Sequence, residues 1–187
     1  RNVSQTLLSK LYQSQSVLPV ADYPKRLKAC LSSTTNKYDP QIVVLTPGRF
    51  NSAYYEHAFL AREMNVPLVH GYDLIVENNH VYIQGVRGKV QVDVIYRRID
   101  DPFLDPLAFL PDSILGVSGL MSAYRAGNVV ITNAPGTGIA DDKSLYPFVP
   151  KIIEYYLGEK PILPNVQTYQ CGDADELAYV LDHMPEL

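Results

Sequence analysis

The sequence predicts an α/β domain of three layers with a mostly parallel, Rossmann-like sheet. Four short apolar runs of strand length recur along the chain with helix-like stretches between most of them: 41–46, 66–70, 92–96 and 129–132. The first run is apolar almost throughout, which is typical of a strand covered on both faces. Strand, helix and strand follow one another over residues 41–70, so this segment predicts a βαβ unit with a right-handed crossover.

A β-hairpin interrupts the alternation of strands and helices. Two β-rich runs, 73–76 and 80–84, flank Glu77-Asn78-Asn79, a turn sequence suited to a hairpin. A second turn over residues 85–89 leads back to the strand 92–96. We therefore expect an inserted β-ribbon beside the main sheet.

Helical patterns are predicted for 2–12, 23–31, a stretch ending at 65, 119–126, 143–157 and 172–184. Candidate capping residues precede three of these helices: Asn51 or Ser52, Asp141 or Asp142, and Asp173. Prolines 147 and 150 are expected to bend or delay the fifth helix, and those near 103–110 keep any helix there short. Residues 160–164 are expected to be extended.

Composition excludes several classes of function. The chain has 187 residues, 47% hydrophobic and 19% charged, a globular balance that suits one domain or one domain with an appendage. With a net charge of −4 and no dense basic run, we expect no nucleic-acid partner. No apolar run approaches the ~20 residues of a membrane span, so no membrane association is expected.

Two cysteines far apart in sequence, Cys30 and Cys171, predict reduced thiols, and the cytoplasm is the simplest location. The chain starts at Arg1 rather than at a methionine. We therefore expect a piece of a longer protein.

The first candidate site is the turn after the first strand, 47–52. Gly48 permits close approach of a ligand to the backbone, and Asn51 and Ser52 stand where a helix begins with free N–H groups. Arg49 suits a carboxylate clamp. The alternatives are a plain strand-to-helix loop and, for Arg49, a solvated charge.

The second candidate is the pair Arg97 and Arg98 at the end of the strand 92–96. Alternate strand residues face opposite sides of a sheet, so one guanidinium is expected to point into a cleft. There it would hold a carboxylate or phosphate through two parallel hydrogen bonds. The alternative is a surface network of these arginines with Asp100 and Asp101.

The third candidate is the loop 133–138, in which Asn133, Gly136 and Thr137 suit close approach to a ligand. A flexible connector is the alternative. The histidines show no zinc spacing and we expect no metal site; His57 is interpreted as structural or as a hydrogen-bonding group in the cleft. The 14 tyrosines are interpreted mainly as packing residues, with an aromatic binding surface as the alternative.

Three long motifs carry a family resemblance: residues 44–57 (VLTPGRFNSAYYEH), 94–101 (VIYRRIDD) and 133–143 (NAPGTGIADDK). Together with YYLGE at 155–159 and PILPN at 161–165, they closely resemble the circularly permuted type 2 ATP-grasp family. That family includes proteins related to glutathionylspermidine synthases, described as carboxylate–amine ligases. The resemblance covers most of the chain from about residue 41 onward.

The resemblance implies a domain organisation. Residues 1–40 would be an N-terminal helical segment and 41–143 the pre-ATP-grasp substrate domain. Residues 144–187 would be linker helices toward an ATP-binding domain outside this chain, with Asp142 and Lys143 opening the linker. We expect no cofactor in the chain itself and Mg-ATP for the full-length protein.

The resemblance also implies a function. The chain would bind the substrate of an ATP-dependent carboxylate–amine or carboxylate–thiol ligase, be inactive alone, and act with the remainder of the ATP-grasp enzyme. Arg97 or Arg98 would hold the carboxylate of an acidic small molecule or peptide, with the other two loops lining the same cleft. One alternative is a stand-alone, non-catalytic module for an acidic metabolite or peptide terminus, and another is a scaffold that uses its tyrosines.

Overall fold

The computed structural model describes residues 20–86 and 88–187, and the predicted helix 2–12 lies outside them. The chain forms two compact units that divide between Pro135 and Gly136. The first contains both sheets.

The main sheet has four parallel strands: β1 (Ile42–Leu45), β2 (Leu68–Val69), β6 (Val94–Arg97) and β7 (Val130–Thr132). Their order across the sheet is β2-β1-β6-β7, with Val44 opposite Leu68 on one side and opposite Tyr96 on the other. The predicted parallel α/β sheet is confirmed.

The inserted element is an antiparallel sheet of three strands: β3 (Leu74–Glu77), β4 (His80–Gly85) and β5 (Gly88–Val92). The predicted hairpin is present, and Asn78 and Asn79 have φ values of 49° and 59°, as its tight turn requires. The predicted second turn is shorter than 85–89, because residues 88–92 pair with β4. Asp93 then carries the chain into β6, its backbone N–H donating to the Gln41 carbonyl at 2.9 Å.

The described residues of the first unit form three α-helices: α1 (Tyr23–Ser32), α2 (Tyr54–Met64) and α3 (Leu120–Arg125). Alternate residues of β1 enter different hydrophobic clusters. Val43 and Leu45 pack with α3 and the inserted sheet, whereas Ile42 and Val44 pack with α1 and α2. Apolar layers on both faces of the sheet explain why β1 is a continuous apolar run.

A buried carboxylate that the sequence analysis did not single out holds the start of α3. Asp105, which is 1% exposed, accepts hydrogen bonds from the backbone N–H groups of Leu107 (2.9 Å), Gly119 (3.0 Å) and Met121 (2.8 Å). Three donors replace the water that the carboxylate loses on burial. Near 103–110, where any helix was expected to be short, the structure has a 3-10 turn, Asp101–Phe103.

The second unit contains α4 (Val149–Leu157) and α5 (Ala174–His183). Asp173 caps α5 as predicted, accepting from the N–H groups of Asp175 and Glu176. The predicted start of the preceding helix was wrong. Two 3-10 turns, Thr137–Asp141 and Tyr146–Phe148, occupy that region, and the prolines delay the α-helix to Val149.

No helix in the described part of the chain has the length and apolar content needed to cross a membrane. Cys30 and Cys171 are both free and exposed.

Candidate functional site

The strand order places a topological switch point between β1 and β6. From β1 the chain crosses to β2 on one side, while β6 occupies the other side. In open parallel sheets the connections diverge at such a point and leave a crevice beyond the carboxyl ends of the strands. The turn after β1 and the arginine pair at the end of β6 both lie at this edge.

Arg97 is buried and bonded to its own protein. Nε donates to the Asn133 carbonyl at 2.7 Å, Nη1 to the Ile99 carbonyl at 2.6 Å, and Nη2 to the Ala134 carbonyl at 3.1 Å. Nη2 also lies 3.0 Å from the Asp101 carboxylate. Three hydrogen bonds and one ion pair thereby engage the guanidinium. Arg97 thus joins the chain segments that follow β6 and β7.

Arg98 faces the other side, toward α2. Its side chain is 25% exposed, and Nη2 donates to Glu56, whose carboxylate is 55% exposed, at 2.8 Å. The guanidinium also lies over the Tyr96 ring, 5.8 Å from its centroid. A second partner from solvent can therefore reach Arg98.

The turn after β1 is held by Thr46, a buried residue whose hydroxyl accepts the Gly48 N–H at 3.2 Å. Gly48 has a φ of +103°, a conformation that residues with a side chain rarely adopt. Arg49 is exposed, its guanidinium 5.1 Å from the centroid of the exposed Phe50 ring. No ion pair to Arg49 occurs within the described residues.

The predicted cap of α2 was wrong. Ala53, with no capping side chain, precedes the helix, and the Asn51 side chain accepts the Ala53 N–H at 2.9 Å within the turn itself. This local bond draws Asn51 into the turn instead of onto the helix end. Ser52 is exposed.

His57 lies on α2 beneath this turn. It is 1% exposed, and Nδ1 is 2.9 Å from the Thr46 hydroxyl oxygen. Burial lowers the pKa of His57, the positive charge of Arg98 lowers this pKa further, and Glu56 opposes the shift. A neutral imidazole therefore supports the turn.

A second histidine, His70, follows β2 at the same edge of the sheet. Its Nδ1 lies 3.2 Å from the Asp73 carboxylate, and its ring approaches Gly48. Sequence spacing excluded His70 as a metal ligand but did not reveal this pair. A histidine at the end of a predicted strand, with an aspartate three residues later, was the available signal.

Asn133 is exposed, with a φ of +59°. Its side-chain amide donates to the Arg97 carbonyl at 3.0 Å, so this loop and the arginine strand are joined in both directions. Gly136, Thr137, Asp142 and Lys143 belong to the second unit. There Asp142 accepts the Ser144 N–H at 2.9 Å, a bond that lowers the pKa of its carboxyl group.

A cavity of about 220 Å³ lies at the opposite, amino edge of the sheet, lined by residues that include Lys37, Asp93 and Asn128. Asp93 is already engaged by the Lys37 ammonium and the Gln41 N–H. No group of three His, Cys, Asp or Glu side chains able to hold a metal occurs among the described residues. The carboxyl edge is therefore the stronger candidate.

Comparison with known proteins gives one family match, to a model described as a circularly permuted ATP-grasp, over residues 1–187. An uncharacterized protein of Mycobacterium tuberculosis is 52% identical over the whole chain, and one of Synechocystis is 48% identical. A Frankia alni protein that carries the name "Putative glutamate--cysteine ligase 2-3" is 39% identical. The chain spans 34%, 39% and 22% of the lengths of these relatives, respectively.

Proposed function

Because this chain belongs to the circularly permuted ATP-grasp family, we propose that it is the substrate-binding domain of an ATP-dependent ligase. The ligase would join a carboxylate to an amine or a thiol, the reaction class that the sequence resemblance implies. The chain would work with the remainder of a longer enzyme.

The observation that carries the proposal is the unequal use of the arginines at the carboxyl edge. The Arg97 guanidinium bonds to backbone carbonyls and pairs with Asp101, whereas Arg98 has one exposed carboxylate partner and Arg49 is exposed. A guanidinium binds a carboxylate through charge-assisted hydrogen bonds, often two in parallel. Arg98 is therefore assigned as the main carboxylate anchor and Arg49 as a second one at the mouth of the crevice.

Arg97 takes a different role in this proposal. By joining the ends of β6 and β7, it orients the backbone from which Arg98 projects. Asn133 is the residue to which Arg97 is hydrogen-bonded at the end of β7. Gly48 leaves the floor of the crevice without a side chain. Gly136 and Thr137 belong to the second unit and are given no role in this site.

The proposal places the nucleotide outside this chain. Among the described residues, no three His, Cys, Asp or Glu side chains group together in a way that could hold a metal ion. We propose that the remainder of the enzyme binds Mg-ATP. The task of this chain is then to hold and orient the carboxylate substrate.

The printed name of the Frankia relative mentions glutamate and cysteine, although the chain spans only 22% of that protein. Glutamate supplies a side-chain carboxylate, and its amide counterpart glutamine supplies a neutral probe of nearly equal shape. We therefore choose L-glutamate as the test ligand.

Calorimetric titration of the chain tests the proposal. L-Glutamate should give saturable heat, L-glutamine should bind at least roughly tenfold more weakly because it lacks the second charge, and Mg-ATP should give no saturable heat. Equal binding of the two amino acids, or tight binding of Mg-ATP by the chain alone, would overturn the assignment.

A further inference from the structure

His70 and Asp73 form a compact pair at the carboxyl edge, on the β2 side of the turn after β1. The 3-10 turn Gly71–Asp73 brings the carboxylate back toward the histidine. One oxygen, Oδ2 of Asp73, accepts the His70 backbone N–H at 2.8 Å and lies 3.2 Å from Nδ1 of the ring. Two contacts to a single oxygen fix the orientation of the imidazole.

This arrangement selects the tautomer of the neutral ring. An ionised carboxylate can only accept hydrogen bonds, so Nδ1 must carry the proton that faces Asp73. Nε2 is then left with its lone pair and can accept a hydrogen bond or a proton. Within residues 20–86 and 88–187, no hydrogen-bond partner of Nε2 is found.

The edge of the ring that carries Nε2 faces Gly48. A Cβ atom built at Gly48 would lie 3.4 Å from Cδ2 and 3.7 Å from Nε2 of His70. Gly48 is buried and the ring lies against it, while the His70 side chain is 25% exposed. A ligand beside the Gly48 turn can therefore reach the ring.

The surroundings of the pair favour a cation over an anion. Asp73 has no Lys or Arg partner in the described part of the chain. The Tyr72 ring stacks on His70 with centroids 4.9 Å apart and planes 6° apart, and the Tyr54 ring lies 6.5 Å away. A carboxylate and aromatic rings together attract an ammonium group.

We propose that His70 and Asp73 form the amine subsite of this domain, an inference that rests on the proposed ligase function. Nε2 of His70 accepts a hydrogen bond from the substrate ammonium and then removes one proton. The N–H bond breaks, its electron pair stays on the amine nitrogen as the nucleophile, and the proton moves to Nε2. Asp73 is a positioning residue that stabilises the resulting imidazolium.

The subsite complements the arginines. Arg98, on the β6 side of β1, would hold the carboxylate partner, and His70, on the β2 side, the amine partner. The turn at Gly48 lies between the two strands that supply them. The carboxylate and the amine substrates would then be bound by side chains of opposite charge.

Nuclear magnetic resonance of the chain labelled with ¹⁵N-histidine tests the subsite. In mildly alkaline buffer, where imidazoles are neutral, His70 should carry its proton on Nδ1. Ethylammonium chloride should shift the Nε2 resonance of His70 saturably, and sodium acetate should not. His80 is the internal control, because its Nδ1 lies 2.9 Å from the Asn78 carbonyl, leaving Nε2 similarly unprotonated but without a carboxylate.

The Asp73→Asn variant tests the role of the Asp73 carboxylate with a side chain of nearly the same shape. Its amide oxygen can keep both contacts of Asp73 Oδ2, with the His70 backbone N–H and with Nδ1, but the negative charge is lost. The affinity for ethylammonium should then fall roughly tenfold or more, with the His80 and His183 resonances unchanged.

A proton on Nε2 in the unaltered chain, or equal responses of His70 and His80, would overturn the amine subsite. These outcomes are independent of the proposed function. If L-glutamate does not bind but the ethylammonium response persists, only the proposed carboxylate site is contradicted.

Discussion

The Arg97 side chain donates from Nε to the backbone carbonyl oxygen of Asn133 at 2.7 Å, and the Asn133 side chain donates back to the Arg97 carbonyl at 3.0 Å. This reciprocal pair joins the carboxyl ends of β6 and β7. Because Arg97 is buried and its neighbour Arg98 is partly exposed, adjacent residues of one type have different roles.

Replacing Arg97 by alanine should lower the free energy of unfolding by roughly 3 kcal/mol, since the partly buried Asp101 carboxylate and three carbonyl acceptors lose their partner. Arg98→Ala is the matched control. Its pair with the exposed Glu56 should contribute less than about 1 kcal/mol. Urea unfolding of both variants measures the difference, and similar losses would show that Arg97 does not hold the edge together.

His57 makes the first unit sensitive to acid. Its pKa in the folded chain is lowered from 6.5, so below that pH the unfolded chain binds a proton that the folded chain still rejects. The free energy of unfolding should therefore fall as the pH drops below 6.5, and should lose the His57 contribution once the pH falls through the lowered pKa.

The test compares how steeply the free energy of unfolding falls with pH in two histidine variants. Urea unfolding over this pH range should give a shallower decline for His57→Gln than for the unaltered chain, whereas His80→Gln, on the exposed hairpin, should retain the original slope. If His57→Gln and His80→Gln decline alike, His57 is not the group responsible.

Gly48→Ala should destabilise the first unit by about 1–3 kcal/mol, because alanine is strained at a φ of +103°. Gly85→Ala is the control in the same unit, since Gly85 lacks a positive φ and its added Cβ would stay 3.4 Å from the nearest atom. It should change the stability by no more than about 0.5 kcal/mol. Thermal or urea unfolding tests this, and equal effects would argue against strain at Gly48.

The strands and the edge they share were predictable, whereas the partners of individual side chains were not. A continuous apolar run such as 41–46 marks a strand covered on both faces, and the inserted hairpin followed from Asn78 and Asn79. These signals are local. Strand order, which creates the switch point between β1 and β6, depends on contacts between distant segments.

Two positions differ from the prediction for local reasons. Asn51 was expected on the helix end but bonds within its turn, and the helix expected from 143 begins at Val149, delayed by the prolines as the sequence indicated. The role of Arg97 depends on carbonyl groups 36 and 37 residues away. Pattern alone identifies an arginine at a strand end but does not say which donors the fold will occupy.

The central claim is that Arg98 holds a substrate carboxylate at the carboxyl edge of the sheet. Calorimetric titration of L-glutamate into Arg98→Gln, with Arg62→Gln as the control on α2, tests this most directly; Arg62 is exposed and paired with Glu63. We expect roughly tenfold or greater weakening of L-glutamate binding in Arg98→Gln and unchanged binding in Arg62→Gln. Unchanged L-glutamate affinity in Arg98→Gln would contradict it.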